Sequence, residues 1–350
     1  MSSIIPRVAI EGKAVDFLEG TYQNLGGFRA ATLQFKLPTT EANFMKLWNK
    51  EVTYYFNQHD STPIFRGYIK RTKVTPNSIE VYAQDAIGYL VKGGNAERAK
   101  VSLTELNNID GLTIGNGISK LISMASLGVK LKTTYIKDTT PLVSCSRPPI
   151  RGTLPLIEII QTLMSRAIDN TGSLPRPNII KIIDDGNSSQ LVIELESNLD
   201  TGAPAMVFSE QKNITNIKII NKKVPTLILV KGYNKVTGEF KHTSAIDAYD
   251  TNYLEVSNPD LKSPAECIDF AQKIFRANLT TQYEYGINSP EGAYLLENDV
   301  IVINTKDEKF SGAYRVRGKT IKFSPSMFHI GININKKPPT LAEFIARQDN

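Results

Sequence analysis

The chain has 350 residues, 41% hydrophobic and 22% charged, a balance that excludes disordered and collagen-like proteins. Its 41 Lys and Arg against 35 Asp and Glu leave a net charge of +6, spread along the chain rather than clustered as in a nucleic-acid binder. Cys145 and Cys267 are the only cysteines, which excludes a disulfide framework and a cysteine zinc cluster.

The length predicts two or three domains. No apolar run approaches the ~20 residues that cross a bilayer. The opening Met1-Ser-Ser-Ile-Ile-Pro-Arg-Val lacks the basic segment and long apolar core of a signal peptide. The expectation is a protein without a membrane span that folds in a reducing cytoplasm.

Along residues 28–90, Leu33, Phe35 and Leu37 alternate with Thr32, Gln34 and Lys36, the pattern of a half-buried strand. Thr39 and Thr40 are placed to cap a short helix over 41–49, with Phe44, Leu47 and Trp48 on one stripe. Alternating segments follow at Val52–Phe56, Phe65–Lys73 and Ile79–Ala83, the last two separated by a Thr-Pro-Asn-Ser turn. From about 100 the period becomes helical. Ile114, Ile118, Leu121, Ile122 and Ala125 share a face that Gly128 is placed to end, and a second helix is expected from Leu154 to Asp169, with Ile157, Ile160, Met164 and Ile168 inward. Ile179–Ile183 and Leu191–Leu195 read as a hairpin across Asp184-Asp-Gly-Asn-Ser-Ser189. Beyond 210, strands are expected at Ile214–Ile220, Leu227–Gly232, Val300–Ile303, Tyr314–Phe323 and Phe328–Ile334. Between them Ser263-Pro-Ala-Glu266 is a capping box with Pro at the first helical position, and the helix after it places Cys267 on an apolar stripe as a core residue. The expected fold is α+β and β-rich: two antiparallel, barrel-like modules flanking a smaller α+β domain. The expected boundaries are 1–98, 99–210 and 211–335, with a tail over 336–350.

The strand-rich ends share a layout. A helix precedes Val52-Thr-Tyr-Tyr-Phe and then Phe65-Arg-Gly-Tyr-Ile; another precedes Asp299-Val-Ile-Val-Ile and then Phe310-Ser-Gly-Ala-Tyr-Arg-Val. Any two antiparallel units share Val-rich strands and a Gly; duplication of one module is the other reading. A trimer of a duplicated chain presents six similar modules around one axis, and so lets a three-fold object meet a six-fold one.

No catalytic set emerges. His59, His242 and His329 are far apart, so no metal or cofactor site is expected. Ser209-Glu-Gln-Lys212 has the S-x-x-K spacing, but no S-D-N or K-T-G element accompanies it, and Lys235-Val-Thr-Gly238 carries an extra residue. Gly111-Leu-Thr-Ile-Gly-Asn-Gly117 has neither the phosphate-loop Lys nor dinucleotide spacing. Glu194 and Glu196 share a strand face, which a solvated edge explains as well as a glycosidase pair does. Lysines 212, 218, 222, 223, 231, 235 and 241 form a basic stretch. It reads as wet strand faces, with contact to DNA in a central channel as a runner-up. The chain is expected not to be an enzyme.

Two motifs resemble the baseplate hub proteins of contractile phage tails, the late-control protein family, related to the N-terminal part of type VI secretion spike proteins. One is the strand-helix-strand run ending in Phe65-Arg-Gly-Tyr-Ile69 and Ile79-Glu-Val-Tyr-Ala-Gln-Asp85. The other is a helix, then Leu295-Leu-Glu-Asn-Asp-Val-Ile-Val302, then Gly312-Ala-Tyr-Arg-Val316. Asn298 stands where the family usually has Gly, and Asn tolerates the left-handed backbone that the turn demands. The resemblance covers 28–90 and 210–335 and implies a homotrimer in the virion tail baseplate, assembled in the bacterial cytoplasm. Its implied partners are the tail tube protein, the central spike and other baseplate proteins, with transient passage of DNA through its channel. A tail-associated carbohydrate- or peptidoglycan-binding or cleaving protein, with 99–210 as its active part, is the competing class. A hub of a phage-like injection system is not separable from a phage hub by sequence.

Overall fold

The computed structural model describes residues 4–26, 29–39, 46–92, 100–101, 109, 111–124, 131–136, 154–157, 159–160, 163, 168–169, 176–177, 179–194, 204–210, 212–214, 216–221, 225–242, 252–258, 261–280, 283–306 and 311–336. Thr40, Phe44, Ala125, Gly128, Cys145, Met164, Glu196, Lys222, Lys223 and the tail beyond 336 lie outside them.

The alternating segments pair as their periods demand. The first part of the chain supplies β1 (Arg7–Ile10), β2 (Lys13–Val15), β3 (Glu19–Asn24), β4 (Thr32–Pro38), β5 (Glu51–Tyr55), β6 (Phe65–Val74) and β7 (Ser78–Gln84). Helix α1 (Ile87–Lys92) then leads into the middle of the chain. There β8 (Lys100–Val101) pairs with β10 (Leu154–Pro155), and β11 (Ile168–Asp169) with β12 (Arg176–Pro177). Helix α2 (Ile114–Met124) buries Ile114, Ile118, Leu121 and Ile122, the stripe its spacing predicts. β13 (Ile179–Asp184) and β14 (Ser189–Glu194) form the expected hairpin, and β9 (Leu131–Ile136) joins β14 in parallel. The expected helix over 154–169 is shorter: 154–155 and 168–169 pair as strands, while Ile157 and Ile160 between them are buried as predicted.

The last part supplies β15 (Met206–Ser209), β16 (Asn216–Asn221), β20 (Tyr283–Asn288), β21 (Val300–Asn304), β22 (Gly312–Phe323) and β23 (Phe328–Lys336). Between β16 and β20 lies a unit with a core of its own. β17 (Leu227–Lys231) is flanked by β18 (Thr237–Lys241) and β19 (Tyr253–Ser257), and α3 (Pro264–Thr280) packs on this sheet through Cys267, Ala271 and Phe275. The capping box is in place: Ser263 Oγ accepts the Glu266 amide at 3.2 Å, and Glu266 accepts the Ser263 amide at 3.2 Å.

The β-rich α+β class holds. Neither end closes into a barrel among the described residues; both contribute to one 13-stranded sheet whose path runs β16-β20-β23-β22-β3-β4-β7-β6-β5-β1-β2, with β21 and β15 branching from β22. The junction is β22 against β3, Lys319–Phe323 opposite Gly20–Asn24. One apolar cluster serves both ends: Tyr54 stacks on Phe323 with ring centroids 4.2 Å apart, and Phe56 meets Phe328 edge-on at 5.0 Å.

The two ends repeat each other in detail. The neighbour sequence β1-β5-β6-β7-β4-β3 is matched by β15-β21-β22-β23-β20-β16. The register of β6 on β7 steps over Lys70, and that of β22 on β23 steps over Arg317. Before β5, Asn49 is left-handed at φ 62; before β21, Asn298 is left-handed at φ 68. Asn49 N donates to Ile69 O and Ile69 N to Lys50 O at 2.8 and 2.9 Å, and Asn298 N donates to Val316 O and Val316 N to Asp299 O at the same two distances. The repeat differs at one strand: β1 lies antiparallel to β5, whereas β15 is parallel to β21.

Candidate assembly surface

Strand alternation gives the sheet one face on the apolar cluster and one polar face. Across the latter run two cross-strand rows: Lys322, Thr21, Gln34, Tyr82 and Arg71, then Glu19, Lys36, Glu80 and Lys73. They line an open groove of about 980 Å³, bounded at one end by the 324–327 turn, where Met327 is 72% exposed. Lys36 pairs with Glu19 at 2.7 Å, a bond that raises the lysine pKa, and the Arg71 guanidinium lies over the Tyr82 ring at 5.4 Å. Both contacts are exposed to water and contribute little to stability. The groove is a mixed-charge wall suited to lying along another surface; its lining includes no acid–base pair held away from water.

The same face is covered over β5 and β6. Arg66, 8% exposed, extends from β6 and donates through Nε to Asp184 Oδ2 at 2.6 Å and through Nη2 to Asp184 Oδ1 at 3.3 Å. It also donates to Gly186 O at 2.7 Å and pairs with Glu51. The partners Asp184 and Gly186 belong to the β13–β14 turn, so one guanidinium clamps the middle of the chain onto the first module. Asp185 holds that turn in shape by accepting the Asn187 and Ser188 amides at 2.9 and 2.7 Å. Lys132 beside it, and then those amides, hold its carboxyl well below the usual range.

Two buried ionisable groups sit on the other face. Lys319 of β22 is 4% exposed and turns inward, donating to the Ala293 and Leu295 carbonyls at the end of a 3-10 turn over 290–294. Burial pushes its pKa down to about 7, against the attraction of Asp299. Asp85, the last residue of the Ile79–Asp85 motif, accepts the Ile87 amide at 3.0 Å and caps α1. Burial raises its pKa to about 7.

The other sequence candidates are dispersed. His59 is exposed in a loop beside Gln58, His242 stacks on Phe275 at 4.5 Å with its pKa lowered by burial, and His329 lies on the groove wall. The described residues hold no group of three His, Cys, Asp or Glu able to bind a metal. Ser209 closes a turn, its carbonyl accepting the Lys212, Asn213 and Ile214 amides. In the glycine-rich segment Thr113 Oγ1 accepts the Asn116 amide as α2 begins, so those glycines belong to a helix start. Glu194 ends β14. Of the basic stretch, Lys231, Lys235 and Lys241 fall on the inserted β17–β18–β19 unit, with Lys231 paired to Glu255 at 2.5 Å. None of these three lines the groove. Sequence reasoning missed Arg66 and Lys319: inside alternating strands each reads as one more solvated polar position, and its partners lie far along the chain.

No protein-family model matches the chain, and no curated sequence matches it. Solved structures do. A tail protein from Neisseria meningitidis aligns over 96% of this chain and 97% of its own at a TM-score of 0.70 and 10% identity. The 43 kDa tail protein of prophage MuSo2 from Shewanella oneidensis aligns over 95% and 98%, at 0.66 and 9%. An Escherichia coli component of the type VI secretion system, described as structurally similar to bacteriophage T4 tail proteins, aligns over 95% of this chain and 77% of its own, at 0.54 and 11%. At these identities the likeness is one of fold. These are the classes of protein that the two sequence motifs resemble.

Proposed function

We propose that the chain is a structural hub of a phage tail baseplate or a related injection machine, a homotrimer that seats a six-fold tail tube on a three-fold spike. The observation that carries this reading is the repeat: six neighbouring strands in the same order, one register step at the same place, and one left-handed Asn turn with the same two hydrogen bonds. A chain with two copies of one module offers six quasi-equivalent modules when three chains surround an axis, so its two ends can match different symmetries. The shared fold with tail proteins supports the setting.

In this reading the modules of 1–98 and 211–335 form the ring, and 99–210 packs outside it, held by the Arg66 clamp. The polar face that carries 99–210 at β5 and β6 turns outward with it, and transient passage of DNA through the central channel belongs to the same reading. The tube, the spike and further baseplate proteins are the partners, the virion tail is the location, and cell-wall cleavage belongs to another chain. The test is native mass with end-on averaged electron micrographs. A mass of about 116 kDa, three times the 38.8 kDa chain, with six similar lobes around an open centre, is expected. A compact dimer without a pore overturns the reading.

A further inference from the structure

The repeat also locates the contact between copies. In the second module, β22 is longer than the strand beside it: its first part pairs with β21 at Gly312–Arg315, and on the same side its later part, Lys319–Phe323, pairs with β3 of the first module. β6 is the counterpart of β22 and has the same two parts. Phe65–Tyr68 pairs with β5, but beyond the register step Arg71–Val74 has no strand on that side among the described residues. Arg71, Lys73 and Val74 are exposed there, Val74 by 50%. The counterpart of β3 is β16, which pairs with β20 on one side and, among the described residues, ends the sheet on the other. Among the described residues, each chain therefore uses one such junction internally and carries the two unmatched halves of a second.

We infer that the Arg71–Val74 edge of β6 pairs antiparallel with the β16 edge of a second copy of this chain, repeating between chains the β22–β3 junction found within one. This rests on the trimeric reading, and it identifies the surface that closes the ring. The register follows from the repeat. Matching Ile69 to Val316 across the register step, and Tyr22 to Ile219 through β4 and β20, converts Lys319–Asn24, Thr320–Gln23 and Ile321–Tyr22 into three new pairs. They are Thr72 with Asn221, Lys73 with Ile220, and Val74 with Ile219 of the next copy. The contact is head-to-tail, using different surfaces on each copy, so it generates a ring when the rotation closes. Unpaired strand edges are templates for pairing, and a fixed partner for both removes that hazard.

Cysteine pairs read the register. Lys73→Cys with Ile220→Cys, and separately Val74→Cys with Ile219→Cys, place one pair at a non-hydrogen-bonded position, where Cα atoms are about 4.5 Å apart and a disulfide closes readily. Within one chain β6 and β16 are separated by six intervening strands, so a bond between them joins two copies. Oxidation is expected to convert most of at least one pair's protein into a ladder ending at three chains, with the single variants giving the background of the native cysteines. Lys73→Cys with Ala14→Cys, aimed at the exposed β2 edge, is expected to stay at one chain. Reduced samples are weighed in solution, and their melting temperatures are compared with the parent. A three-chain mass with no ladder from either pair, or a ladder only from the β2 control, overturns the junction and leaves the trimer standing. A one-chain mass at all concentrations overturns the trimer and the junction with it.

Discussion

Asn298 and Asn49 occupy backbone conformations that cost most L-residues roughly 1–2 kcal/mol. Asn298→Gly is therefore expected to melt within a few degrees of the parent, while Asn298→Val loses about 1–2 kcal/mol in denaturant titration. Asp85 permits a pH test. Its pKa is about 7 in the folded chain and near 3.8 when unfolded, so its stabilising contribution is complete below pH 4 and is lost as pH rises through 7. Asp85→Asn keeps the oxygen that caps α1 and removes the charge. Its stability relative to the parent should rise between pH 4 and pH 8 by about 4 kcal/mol, measured as parallel melts. Lys319 runs the other way, its contribution complete above pH 10.5 and lost as pH falls through 7. The Asn at 298 was legible because a turn leaves a local signature. The depth of Lys319 was not, since nothing beside it in the chain distinguishes it from Lys322, three residues on, which is exposed.

Elements with local signals were read well, and those defined by distant partners were not. The start of α3 was visible because a capping box is four consecutive residues, and Ser263→Ala is expected to cost about 1 kcal/mol. Of the sheet beneath α3 only β17 is legible, since β18 and β19 have the same length but carry charged residues among fewer apolar ones and are held by pairing to that central strand. Gly238 explains how helix and sheet approach: a Cβ there would sit 2.6 Å from Cys267 Cβ. Gly238→Ala should push α3 outward and lower the melting temperature by several degrees, as overpacking by ~1–3 kcal/mol does. Helix 154–169 was overextended because its apolar period continues through residues that two short pairings claim instead. The Arg66 clamp lies between elements 118 residues apart. Arg66→Met leaves Asp184 buried without its partner, at a cost of about 3 kcal/mol, and should speed hydrogen exchange across 179–194.

At the scale of the molecule, the two ends were expected as separate barrels and instead share a sheet and an apolar cluster. Their strands were legible from period two; their closure was not, because register with a strand hundreds of residues away leaves no mark on either segment. β3 is the extreme case. Gly20, Thr21, Gln23 and Asn24 give it almost no apolar pattern, yet it joins the halves. A chain ending at 305 lacks β22 and is expected to be recovered mainly as aggregate, even though every strand of its first module is present. Soluble, monomeric product would show that the first module folds without the second.

The β22–β3 junction also sets a timetable. Residue 24 leaves the ribosome about 295 residues before its partner, residue 319, exists. At ~5–20 residues per second that interval is about 15–60 s, long compared with the formation of local hairpins. Throughout it, the nascent first module carries an edge whose proper neighbour has not been made, on a polysome where identical edges are close by. A strand translated late is the one that makes an early strand safe.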